Sequence, residues 1–187
     1  TEYVYSPAGQ VTNITTKVKV NGTENTKETK NYTYNDRGFI QNETLTDTFQ
    51  DGKTVTKSYT YDNVGRLTAE NTNTKIGTGN GIDKNTTYAY DAVGNRTQRV
   101  QGENTYSYTY NGLNQLTGIK KNNAVDATYD YDARGRQSQQ IQKTAGEDDT
   151  ITTYQYEAAG NLSQTKATRA GNVIAQTKHL YNGDGQR

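Results

Sequence analysis

Residues able to do chemistry are few and scattered in this chain of 187 residues. There is no cysteine and a single histidine. That removes thiolate nucleophiles, thiolate metal sites and most nucleophile–base pairs at once. The histidine, His179, stands where a tyrosine recurs elsewhere in the chain, so it reads as a substituted aromatic. Glu147-Asp148-Asp149 gathers three carboxylates beside Gly146, but no spaced calcium-loop ligands surround them. It reads as a solvated hairpin tip. Gly77-Thr78-Gly79-Asn80-Gly81 lacks the Lys-Ser/Thr that completes a phosphate loop and reads as a flexible turn. Asn-x-Ser/Thr triplets such as Asn13-Ile14-Thr15 and Asn42-Glu43-Thr44 arise from composition and matter only where the host glycosylates secreted proteins. No convergent set emerges, so neither an enzyme nor a cofactor or metal site is expected.

Tyrosine is the residue whose spacing carries information. All but one of the 16 tyrosines fall in Tyr-x-Tyr pairs or their remnant, and Tyr106 extends one pair by a further step. Each pair precedes a turn residue at a fixed distance. Tyr32 and Tyr34 precede Gly38, Tyr59 and Tyr61 precede Gly65, and Tyr88 and Tyr90 precede Gly94. Tyr108 and Tyr110 precede Asn114, Tyr129 and Tyr131 precede Gly135, and Tyr154 and Tyr156 precede Gly160. An outlying copy opens the chain, with Tyr3, Tyr5 and Gly9, and another closes it, with Tyr181 and Gly185. Asn114 in a glycine slot fits the mechanism, because Asn tolerates a left-handed backbone better than other side chains do.

The elements that position these residues follow from the period. Residues two apart share one face of a strand. Tyr59-Thr60-Tyr61 is therefore a strand with its rings on one side, Asp62-Asn63-Val64-Gly65 a tight turn, and Arg66-Leu67-Thr68 the start of the return strand. Between each return strand and the next Tyr-x-Tyr lies a turn of variable length, at Asn21-Gly22, Asp51-Gly52, Gly77 to Gly81, Gly102, Asn122-Asn123, Gly146 and Gly171-Asn172. Each repeat is then two strands and two turns, and the chain should be all-β: a continuous antiparallel hairpin meander. One face is aromatic and the other hydroxyl-rich, which predicts a sheet with one packed and one wet face. About 15 strands at ~4.8 Å spacing make a ribbon roughly 70 Å long, enough for an arc or wall but not for a container.

Composition limits the alternatives. Apolar residues are only 29% of the chain, but the net charge is +1 and aromatics reach 10%. That balance favours a folded β array over disorder. It gives no electrostatic reason to expect nucleic acid or an anionic membrane as partner. No apolar run is long enough to span a bilayer.

The unit Tyr-x-Tyr-Asp-x-x-Gly-[Arg/Asn], clearest at Tyr59–Thr68 and Tyr88–Thr97, resembles the YD repeat of bacterial Rhs and wall-associated proteins, toxin-complex shells and teneurins. The resemblance spans residues 1–187 as one array of about eight repeats, a piece of a larger protein with the last repeat incomplete. Asp gives way to Ser6, Asn35, Asn111, Glu157 and Asn182. The family's self-cleaving region contains Asp-Pro, and the only proline here is Pro7. The resemblance implies a curled ribbon in the wall of a β-shell. The protein would be bacterial and secreted or at the cell surface, and the shell would enclose or display another part of its own polypeptide, such as a toxin. It also allows a carbohydrate- or cell-wall-binding module that uses tyrosine-rich faces. The tyrosines favour packing over sugar stacking, since they recur in every copy whereas a binding site is local. Unpaired terminal strands at Tyr3-Tyr5 and Tyr181 would permit edge-to-edge self-association.

Overall fold

The computed structural model describes residues 1–182 and 186. The described residues form fifteen strands and no helix. They are β1 (Glu2–Tyr5), β2 (Val11–Val20), β3 (Thr23–Tyr34), β4 (Ile40–Asp47), β5 (Lys53–Tyr61), β6 (Leu67–Lys75), β7 (Ile82–Tyr90), β8 (Arg96–Gln101), β9 (Asn104–Tyr110), β10 (Leu116–Lys121), β11 (Ala124–Tyr131), β12 (Gln137–Gln142), β13 (Thr150–Tyr156), β14 (Leu162–Arg169) and β15 (Asn172–Lys178). Sheet order is chain order, and the pairing is antiparallel. This is the all-β meander that the repeat predicts. The chain divides into two compact units, Thr1–Ala89 with Arg99–Glu103, and Tyr90–Gln98 with Asn104–Arg187.

Within each unit the alternation is regular. In the six pairs from Tyr32-Tyr34 to Tyr154-Tyr156 both tyrosines are half-buried and the residue between them is exposed, at Thr33, Thr60, Ala89, Thr109, Asp130 and Gln155, whereas Tyr3 and Tyr5 are exposed. The aromatic face is not packed as expected, however. Ala127 is the one buried apolar residue described, and no large side chain is fully buried. A chain this poor in Leu, Ile, Val and Phe cannot build a second layer. Each unit is held by ladder hydrogen bonds and cross-strand side-chain pairs.

Three other expectations are corrected. The β14–β15 turn is Ala170-Gly171, with φ of 48° and 79°, and Asn172 already belongs to β15. Tyr181 is not in an edge strand, because β15 ends at Lys178. In β11 the partners Lys120↔Val125 and Ile119↔Ala127 leave Asp126 as an extra residue. That bulge interrupts the strict period of two by which residues two apart are expected to share one face. Gly185 lies outside the described residues.

Candidate functional site

The feature repeated through both units is a latch, and it begins at the turn. In Asp62–Arg66 the Asp62 amide donates to the Arg66 carbonyl at 2.9 Å, and the Gly65 amide donates to the Asp62 carbonyl at 3.0 Å. The Asp62 carboxylate closes the loop from the side. Its Oδ1 accepts from the amides of Val64 and Arg66, and its Oδ2 from the Arg66 side chain at 2.6 Å. Asp132 repeats these contacts with Arg134 and Arg136, and Asp91 does so with Val93 and Asn95. Where Asn replaces Asp, at Asn35 and Asn111, Oδ1 still accepts the same two amides. The substitution therefore keeps the turn and gives up only charge.

These contacts also set the acid–base behaviour of the turns. The Arg136 side chain, helped by backbone amides, holds the Asp132 carboxyl below its ordinary value. For Asp62 and Asp91 desolvation pulls upward, and hydrogen bonds outweigh it. The donors are the Arg66 side chain with turn amides in one case, and Asn95 with turn amides in the other. Both carboxyls end lowered.

The turn requires a left-handed residue at its fourth position. Gly65 has φ of 90°, and Gly38, Gly94, Gly135 and Gly160 have φ of 81°, 100°, 78° and 97°. Asn114 adopts the same conformation at 59°. Space is a second constraint at Gly65, where a Cβ would lie 2.9 Å from the Phe39 ring.

The second tyrosine of five pairs, and Tyr181, completes the latch. Register shifts between Thr60 and Tyr61, and at the matching places in the other repeats, mark a bulge where the return strand begins. Beyond that bulge the ladder to the following strand starts late. It starts at Asn13↔Asn31, Asn42↔Ser58, Gly118↔Thr128, Gln139↔Thr153 and Gln164↔Lys178. The carbonyl two residues earlier has no ladder partner on that side, and a tyrosine hydroxyl of the next repeat takes it. Tyr34 donates to Val11 at 2.7 Å, Tyr61 to Ile40 at 2.8 Å, and Tyr110 to Arg96 at 2.9 Å. Tyr131 donates to Leu116 at 2.9 Å, Tyr156 to Gln137 at 2.8 Å, and Tyr181 to Leu162 at 3.1 Å. The hydroxyl thus replaces a main-chain donor that the bulge has displaced.

Two of these rings are covered by the residue that follows the turn glycine in the preceding repeat. Phe39 stacks on Tyr61 with centroids 5.1 Å apart, and the Arg136 guanidinium lies 4.4 Å over Tyr156. Arg96 lies 4.6 Å over Tyr108, the first tyrosine of its pair. Among the first tyrosines, Tyr59 donates to Glu43 at 3.1 Å and Tyr154 to Gln140 at 3.4 Å. Burial, and then the Glu43 carboxylate, push the Tyr59 hydroxyl well above its ordinary value. Tyr32, Tyr88 and Tyr129 sit at matching places near the ends of β3, β7 and β11, and Tyr90 ends β7.

Neighbouring turns are tied as well. The Gln10 side chain donates to the Gly38 carbonyl, the Arg37 side chain to the Asp62 carbonyl, the Gln115 side chain to the Gly135 carbonyl, and the Arg134 side chain to the Ala158 carbonyl. Sequence reasoning read Asp62 as the start of the tight turn and the Asp and Arg/Asn places as part of the repeated unit, but not the side-chain contact by which Arg66 and Arg136 close onto Asp62 and Asp132. Their recurrence at one and five places after the second tyrosine was the available signal. The accepting carbonyls have no side-chain signature at all.

A family model, Teneurin YD-shell, matches residues 1–148. The chain belongs to the teneurin YD-shell family. No curated protein matches it. Among solved structures, the chain is similar to TcdB2-TccC3 with Cdc42, at 15% identity and a TM-score of 0.52 over 96% of this chain. It is also similar to TcdB2-TccC3 without its hypervariable C-terminal region, at 15% identity and a TM-score of 0.56 over 98% of this chain. At such identity the likeness is one of fold. The YD-shell chain spans 12% of the length of either matched chain.

Proposed function

We propose that residues 1–187 form one array of about eight YD repeats and serve as a stretch of wall in an Rhs-like β-shell. The protein would be bacterial and secreted or cell-surface, and its shell would enclose or display another part of the same polypeptide, such as a toxin domain. The role is structural, and the tyrosines and turn residues of the repeats are its working residues.

The observation that carries this reading is the latch. Six tyrosine hydroxyls each close one repeat onto the carbonyl of the repeat before it. A sheet without a core gains rigidity this way, which suits a wall with both faces free. Two of the rings serve the same end, Tyr61 under Phe39 and Tyr156 under Arg136, which leaves those ring faces poorly placed to stack on sugars. The test is cryo-electron microscopy of the natural full-length gene product, with limited proteolysis in parallel. The expected result is a closed β-shell around a protease-resistant segment of the same chain. An open array whose downstream segment is digested as fast as when it is expressed alone would contradict the reading. So would saturable glycan binding that is lost when one local group of tyrosines is changed.

A further inference from the structure

We propose that Asn80 is a self-modification site, converting to aspartate and isoaspartate in the folded protein while Asn21 and Asn111, in chemically identical Asn-Gly pairs, are held unreacted. In such a pair the glycine amide nitrogen loses its proton to solvent base and attacks the asparagine Cγ. The new C–N bond expels the side-chain nitrogen as ammonia and leaves a five-membered succinimide. Water then opens the ring at either carbonyl. The balance is asparagine plus water giving aspartate or isoaspartate plus ammonia, with no other reactant.

Four Asn-Gly pairs occur in the chain, at Asn21-Gly22, Asn80-Gly81, Asn111-Gly112 and Asn182-Gly183, and the last reaches beyond the described residues. Sequence alone does not rank the other three. Attack requires two freedoms: the Asn carboxamide must turn, and the following amide must swing onto Cγ. Asn111 lacks the first. Its Oδ1 accepts from Leu113 and Gln115 amides at 2.9 and 3.0 Å, and its Nδ2 donates to Gln115 Oε1 at 2.7 Å. It is the turn residue of its repeat, so reaction there must first open the turn. Asn21 lacks the second. It is held at φ of 50° in a two-residue turn, and the ladder pair Val20↔Thr23 clamps both flanks.

Asn80 has the first freedom, and more of the second than Asn21: Gly81 rests against the Asn73 side chain, but the closing ladder pair Thr74↔Ile82 spans residues 75–81 where Val20↔Thr23 spans two residues. It lies exposed in the connection between Lys75 and Ile82, the Ile76 to Gly81 stretch, with Gly79 before it and Gly81 after it. The one main-chain bond described inside that connection, Gly79 amide to Ile76 carbonyl at 3.2 Å, does not involve Asn80. Glycine on both sides gives the backbone its widest range of conformations. Conversion adds one negative charge and takes the formal net charge from +1 to zero. A protein near zero charge is more prone to associate. The isoaspartyl product also carries the free α-carboxylate recognised by repair enzymes that methylate such groups from S-adenosylmethionine.

The test is peptide mapping by mass spectrometry of the intact chain, incubated folded at mildly alkaline pH and, in parallel, in concentrated urea. Isoaspartate is read by enzymatic methyl transfer from labelled S-adenosylmethionine. In urea the three pairs should convert at similar rates. In the folded protein Asn80 should lead, with Asn111 about a hundred-fold slower, since two or three hydrogen bonds must open first. Asn80→Ser should abolish the early methyl-accepting signal and leave the fold unchanged. Asn80 converting less than about ten-fold faster than Asn111 in the folded state would overturn the proposal, as would the same ranking in both states.

Discussion

Replacing Tyr61 by Phe removes one oxygen and nothing else from the latch. The Phe39 ring can still stack on the new ring at about the present 5.1 Å. What is lost is the 2.8 Å bond to the Ile40 carbonyl, a half-buried group that the bulge keeps out of the ladder on that side. A net hydrogen bond contributes about 1 kcal/mol, and an acceptor left without its partner in a half-buried place adds a further part of its desolvation cost. The expected loss is about 1–2 kcal/mol, or roughly 5–10 °C in Tm for a cooperative unit near 100 residues. Tyr5→Phe is the matched control. It is the same substitution in the same slot, but Tyr5 is 58% exposed and its hydroxyl makes no described latch. It should change stability by less than about 0.5 kcal/mol, as exposed substitutions usually do. Urea melts with unchanged slope would assign the difference to the folded state. Equal effects from the two substitutions would refute the reasoning.

The lowered carboxyls of Asp62, Asp91 and Asp132 make stability depend on acid. A depressed folded-state value contributes stability above the unfolded value, near pH 4, that is lost as pH falls through the folded value. Tm measured against pH should therefore fall below about pH 4, and Asp132→Asn should flatten that limb. Gly65→Val should cost more than ~1 kcal/mol, since it forces a β-branched residue to φ of 90° against the Phe39 ring. Thermal melts matching the parent would exclude this. Ala170→Asn should stabilise the β14–β15 hairpin by about 0.5–1 kcal/mol, because Ala170 now holds a left-handed conformation that Asn tolerates better. Denaturant midpoints decide that case.

The repeat was legible because tyrosine and glycine are loud signals. A ring every second residue and a left-handed turn at a fixed distance leave few alternatives, and strand count and direction follow. Asn114 was readable from the same physics. The latch was not readable, because its acceptor is a backbone carbonyl exposed by a bulge, and neither the bulge nor the carbonyl is written in a side chain. Ala170 shows a related blind spot. Nothing about alanine announces a positive φ, so the turn was placed one residue late at Gly171-Asn172. The aromatic face was overread for a different reason. Alternation shows which residues share a face but not whether anything covers it, and here the tyrosines remain half-exposed.

Native-state amide hydrogen exchange on the Tyr131→Phe variant tests the repeat-to-repeat latch most directly. The lost bond joins Tyr131 at the end of β11 to Leu116 at the start of β10. If stability is a sum of local repeat terms, exchange should quicken in Leu116–Lys121 and Ala124–Tyr131. It should stay at the parent rate in Leu162–Arg169 and Asn172–Lys178. Exchange unchanged in β10 and β11, or raised equally in every strand, would contradict the account.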